Sequence, residues 1–212
     1  MSVEQIFTSF APEKHGFHFV NNFAIEKSEF GLGAGKLHFG LCGGMCLAAL
    51  RRYLQETPVP PAAVPPAPGA ALFRELFVCQ TETLLPTIWG RFLRWQVRPD
   101  KPFLSDRYNI GFSTREQWRR KLRPRLNNGE PAILGLVRAK GVDDDPSQNH
   151  QVLAIGYRWD AGAEDLTLAL YDPNYPGRVV DLKMNFKRPA EGIHAVQSTG
   201  EPCRGFFVIA EK

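Results

Sequence analysis

Cys42, His150 and Asp172 are the residues of this chain whose types and settings could do nucleophilic chemistry. Cys42 lies in FGLCGGMCLAAL (39–50), behind a turn of small residues. Just after it, GGMCLAALRRYL (43–54) reads as a helix, apolar at its start and with Arg51 and Arg52 near its C-terminal end. A helix N-terminus offers unpaired N–H groups and partial positive charge, which favour thiolate over thiol. Gly43 and Gly44 leave room for a substrate backbone. On this motif alone, a buried structural cysteine is an equal reading.

His150 stands in NHQVLAIGYRWD (149–160), directly before an apolar strand. Asp172 stands in LALYDPNYPG (168–177), at the end of the next strand. WDAGAED (159–165) is a hairpin-length link between the two strands. One strand starts at His150 and the other ends at Asp172, so antiparallel pairing brings both to one sheet edge. A carboxylate there can hold the tautomer of an imidazole and stabilise the imidazolium. Each residue also has a plainer reading: a hydrogen-bonded histidine at a strand end, and a turn aspartate in Asp-Pro-Asn. Cys46 is the rival nucleophile. It sits one helical turn further in, where burial is expected and the helix dipole helps less.

The elements that must position these residues fall into two blocks. Helical patterns come first. After the segment at 43–54, a proline-rich connector, TPVPPAAVPPAPG (57–69), leads to ALFRELFVCQTETLL (71–85). Pro86 opens a helix through Trp95, and Ser113 with Glu116 forms a capping-box pattern ahead of Trp118, Leu122 and Leu126. Strand-like runs follow at 132–137, 151–157, 166–171, 178–184 and 205–210. Helices followed by strands argue for α+β rather than alternating βαβ units.

The three motifs together resemble the papain-like cysteine peptidases. HQVLAIGY resembles the histidine strand of that superfamily, and LALYDPN the following strand with its Asn or Asp. LCGGMCLAAL is similar to the bacteriocin-leader-peptidase branch, where Cys-Gly opens the central helix and Asp-Pro supplies the third residue, and to bacterial proteins of this fold with a GLCGGM string. The resemblance implies a papain-like α+β fold, with Cys42 as nucleophile, His150 as general base and acid, and Asp172 as orienting group. It also implies a Gln six residues before the nucleophile, as oxyanion donor. Lys36 occupies that position. Asn21 is the leading substitute donor, with Asn22 beside it in FHFVNNF (17–23); Lys36 and His38 are weaker candidates.

Composition bounds the rest. The chain has 212 residues, 43% hydrophobic and 23% charged, which suits one globular domain. The expected layout is a single domain, 1–212, with a helical lobe about 40–128, a β lobe about 130–212 and the cleft between them. Twenty-six Lys and Arg against 22 Asp and Glu give a net charge of +4, too little to imply nucleic acid. The Arg115, Arg119, Arg123 stripe reads as a solvated helix face, and Asp143, Asp144 and Asp145 as a solvated loop that could attract a basic substrate segment. No apolar run is long enough to span a membrane, MSVEQIFTSF shows no secretory signal, and four cysteines do not make a disulfide scaffold; a cytoplasmic location is the expectation. Cys42, Cys46 and His38 lack zinc-knuckle spacing, so no metal or cofactor is expected. The expected activity is cysteine-dependent hydrolysis of an amide in a peptide or protein substrate, through a thioester. An acyltransferase or deamidase on the same triad, or an inactive binding domain of this fold, are the alternatives.

Overall fold

The runs at 132–137 and 151–157 are apolar at nearly every position because both faces of the sheet are covered there, whereas the run at 178–184 alternates and buries one face. The computed structural model describes residues 3–26, 36–101 and 108–209. In chain order it contains β1 (Val3–Phe7), α1 (Pro12–His15), β2 (Phe23–Glu26), β3 (Lys36–Phe39), α2 (Cys42–Leu54), α3 (Ala71–Thr83), α4 (Pro86–Gln96) and α5 (Ile110–Gln117). A π-helical turn (Trp118–Leu122) and α6 (Arg123–Asn127) follow. Then come β4 (Ala132–Val137), β5 (His150–Asp160), β6 (Asp165–Tyr171), β7 (Val179–Asn185), β8 (Val196–Gln197) and β9 (Gly205–Val208). This is an α+β arrangement.

The main sheet is antiparallel, in the order β8-β7-β6-β5-β4-β9. It curls around β5. The first half of that strand pairs with β4 (Leu136↔His150), and its second half pairs with β1 (Phe7↔Gly156). Its other edge carries β6 as a hairpin, with a register shift between Ala154 and Gly156. Side chains alternate across this sheet. Ile133, Val137, Leu153, Ile155 and Phe207 face a core shared with α2, α3 and α4. Leu134, Leu136, Val152, Ala154 and Phe206 face a second core closed by Trp118, Leu122 and Leu126.

The helix that ends in that Trp-Leu-Leu face begins earlier than Ser113. Asn109 is its N-cap, its side-chain oxygen accepting the Phe112 N–H at 2.6 Å, and the Ser113 hydroxyl turns back to the Asn109 carbonyl at 2.8 Å. The Ser–Glu pattern is therefore not the cap; an amide four residues upstream does that work. The arginine stripe is also not wholly solvated. Arg115 pairs with Glu164 at 2.6 Å, and Arg123 pairs with Glu4, which ties this helical segment to the sheet's hairpin and to β1.

Candidate active site

The site forms where the N-terminus of α2 meets the ends of β5 and β6. Cys42 is the first residue of α2, and two features let that helix end approach its neighbours. At Gly44, an added Cβ would lie 2.1 Å from the Leu76 carbonyl oxygen of α3. At Gly43 it would lie 2.2 Å from Thr83 Oγ1 and 2.5 Å from Gln151 Oε1. The two glycines are needed for close packing, not only for substrate access.

A helix start leaves four backbone N–H groups without helical acceptors. Here they divide cleanly. The Leu41 N–H donates to Asn21 Oδ1 at 2.6 Å, and the Gly44 N–H donates to Gln80 Oε1 at 2.8 Å. The N–H groups of Gly43 and Gln151 lie close to the Cys42 sulfur and favour its charged form. The Cys42 N–H has no acceptor among the described residues.

His150 and Asp172 sit together at the sheet edge. His150 Nε2 is 2.8 Å from Asp172 Oδ1, which leaves Nδ1 as the nitrogen for the Cys42 thiol. Asp172 is fully buried, and its oxygens are held on all sides. Oδ1 also accepts the Asn174 N–H at 2.9 Å, and Oδ2 accepts Gln197 Nε2 at 3.1 Å. Asp172 is thus both a turn residue and a histidine partner. Gln197 Oε1 in turn accepts from Arg138, which pairs with Glu201 at 3.4 Å. The result is one connected polar chain from Arg138 through Gln197, Asp172 and His150 to Cys42.

The electrostatics follow from this geometry. Burial pushes the Cys42 thiol up, but the His150 ring beside it and the N–H groups of Gln151 and Gly43 outweigh burial, so the thiol lies below its ordinary value. Burial disfavours a charged His150, but Asp172 and Cys42 reverse this and raise it to about 10. Asp172 also loses to burial and gains more from His150, the Asn174 N–H and Gln197, so its carboxyl is held down. Both shifts act in the direction of a thiolate–imidazolium pair. Cys42 is half-buried and opens into a cleft of about 590 Å³.

Cys46 has the opposite setting. It is fully buried, its thiol faces the Gln151 carbonyl at 3.6 Å, and burial raises it well above an ordinary thiol. Replacing Cys46 by Ala should therefore leave the rate of alkylation at Cys42 within about twofold of wild type, because an inert buried thiol contributes no thiolate. Intact-mass spectrometry after a short pulse of iodoacetamide checks this.

Asn21 lines the same cleft as Cys42, while Asn22 is exposed. With Oδ1 on the Leu41 N–H, Asn21 Nδ2 donates to Asn174 Oδ1 at 3.1 Å and keeps one proton. Gly40 makes room for this amide, since a Cβ there would lie 2.8 Å from Nδ2. The side chains of Lys36 and His38 lie outside the described residues. The acidic run does not reach the cleft. Asp144 accepts the Lys140 N–H at 2.7 Å and Asp145 accepts the Ser147 N–H at 2.8 Å, so two of its carboxylates shape a loop.

No protein-family model, curated protein or solved structure matches this chain. The reading of the site rests on its own geometry. Sequence reasoning missed Gln197, Gln151, Gln80, Arg138 and Asn174. Asn174 had a signal, being two residues beyond Asp172 in a turn where an Asp side chain accepts from that N–H. Gln197 had none, because it reaches Asp172 from a two-residue strand.

Proposed function

We propose that this protein is a papain-like cysteine hydrolase that cleaves an amide in a peptide or protein substrate. The observation that carries the proposal is the ordered set Asp172–His150–Cys42, with the sulfur at a helix N-terminus and open to a cleft. A central helix bearing the thiol, packed on an antiparallel sheet bearing the histidine and carboxylate, supports the fold assignment.

The steps follow from the residues present. The Cys42 thiolate attacks the carbonyl carbon and forms a C–S bond, and the carbonyl electrons move to oxygen. The Cys42 N–H, which has no acceptor among the described residues, stabilises that oxyanion, and the Asn21 carboxamide supplies the second donor. The His150 imidazolium gives its proton to the departing nitrogen as the C–N bond breaks, leaving a thioester. His150 then takes a proton from water, whose oxygen attacks the thioester. The C–S bond breaks and the acid product leaves. Asp172 keeps Nδ1 aimed at sulfur throughout.

All four cysteines are free thiols, which suits a reducing, cytoplasm-like compartment. Among the described residues, no helix is long and apolar enough to cross a membrane.

The test is digestion of a proteome-derived peptide library, with new termini read by mass spectrometry. Wild type should generate a defined set of cleavages, and Cys42→Ala should generate none above background, because every covalent step needs the sulfur. Equal cleavage by both proteins, or none by wild type in this library and in folded protein lysates, overturns the proposal. If an added amine is incorporated at the cleaved carbonyl, the thioester is resolved by transfer rather than by water.

A further inference from the structure

The cleft around Cys42 has a one-sided chemistry. Among the described residues none of its lining side chains is Asp or Glu, and its cationic groups are Arg138 and the raised His150 ring. Four of its carboxamides are also oriented alike. Gln80 spends its oxygen on the Gly44 N–H, Asn174 on Asn21 Nδ2, and Asn21 on the Leu41 N–H. Asn149 spends its oxygen on the N–H groups of Arg138 and Ala139. Because the oxygens face inward, the free atoms of Gln80 and Asn174 are NH2 groups, which only donate. Gln80 is 8% exposed, yet its Nε2 has no acceptor among the described residues. That donor opens into the cleft, where it can meet an acceptor on a bound molecule. The Gln151 oxygen is sealed beneath the first turn of α2 and unavailable to a ligand, which leaves the exposed Gln148 at the rim as the one lining carboxamide with both its oxygen and its NH2 free among the described residues. Leu84, Trp89 and Phe92 supply an apolar wall.

We propose that this cleft selects substrates with a carboxylate beside the scissile amide, an acidic peptide segment rather than a neutral or basic one. Gln80 Nε2, Asn174 Nδ2 and the Arg138 guanidinium are the groups that receive it. The inference rests on the reading of Cys42 as nucleophile. A carboxylate is acceptor-only, so it matches a donor wall in a way that an amide or ammonium group cannot. Arg138 meets its own partner Glu201 at 3.4 Å, a loose contact for such a pair, so part of its field remains open to an incoming carboxylate. This reverses the expectation that Asp143, Asp144 and Asp145 would draw in a basic segment.

The experiment measures alkylation of Cys42 by three tripeptidyl acyloxymethyl ketones that differ only in Asp, Asn or Lys next to the reactive carbonyl. Iodoacetamide is the small neutral reference. The Asp probe should react about tenfold faster than the Lys probe, the ratio that one favourable charge contact gives, with Asn between them. Asn174→Asp keeps the oxygen that Asn21 needs and turns the free donor into an acceptor; it should erase or invert that ratio. Gln80→Glu makes the same swap on the α3 side, and a smaller change in the same direction is expected. Equal rates for all three probes, or a ratio unmoved by both substitutions, overturn the proposal while rapid iodoacetamide labelling leaves Cys42 as the nucleophile. Iodoacetamide labelling no faster than that of an ordinary thiol overturns both readings.

Discussion

Alkylation of Cys42 at pH 5.5 should fall by about a hundredfold or more when His150 is replaced by Ala. An ordinary thiol is roughly 0.1% thiolate at that pH. In the native site the thiol is held below its usual value and the facing imidazole is raised to about 10. The reactive pair is therefore bounded by the lowered thiol value on the acid side and by about pH 10 on the alkaline side. Removing the ring removes the charge that holds the thiol down, while burial, which pushes it up, remains. The intrinsically weaker nucleophilicity of a low-pKa thiolate trims the gain but does not cancel it. Pulse labelling with iodoacetamide from pH 4 to 10, read by mass spectrometry, checks the profile. Coincident curves for the two proteins would show that the pair does not form. The same shifts link the site to stability. His150 has a raised value, so its contribution is full below its unfolded value near 6.5 and is lost as pH rises through about 10. Asp172 has a lowered value, so its contribution is present above its unfolded value and is lost as pH falls through the folded one.

Two helical glycines should respond to alanine with opposite signs. Propensity alone favours Ala over Gly inside a helix by about 1 kcal/mol. At Gly90, in α4, nothing lies within 4 Å of the added methyl, so Gly90→Ala should stabilise the protein by about 0.5–1 kcal/mol. At Gly44 the methyl would sit 2.1 Å from the Leu76 carbonyl oxygen, which is backbone in a neighbouring helix and cannot rotate away. Gly44→Ala should destabilise by about 2–3 kcal/mol, the scale of an overpacked core. It also pushes α2 from α3 and lengthens the Gly44–Gln80 hydrogen bond. Urea unfolding of both variants checks the pair. A stabilising Gly44→Ala would mean that α2 and α3 are further apart than described.

The class of fold was legible in the sequence because hydrophobic periodicity changes at Pro131, from helical spacing to short continuous runs. The hairpin between β5 and β6 was legible too, since WDAGAED separates two apolar strands, and it brings His150 and Asp172 to one edge. Other features were invisible for physical reasons. The pairing of β1 with β5 joins residues about 150 apart, and no local pattern encodes a partner at that distance. The orientation of the cleft carboxamides depends on which backbone N–H each oxygen meets, which only the folded chain decides. The glycines of the Cys-Gly-Gly turn were read as access for substrate, whereas their tightest neighbours are α3 and β5.

The connected polar chain has a consequence for synthesis. A ribosome releases Cys42 well before His150, Asp172 and Gln197. Until β5 has paired on both edges and β8 has brought Gln197 to Asp172, the buttressed His150 ring, the largest influence lowering the sulfur's affinity for its proton, is not in place. The nascent protein therefore carries a less reactive Cys42, and the proposed nucleophile switches on only when the chain through Gln197 has emerged and folded. Late completion protects the growing chain, and its neighbours, from a premature thiolate.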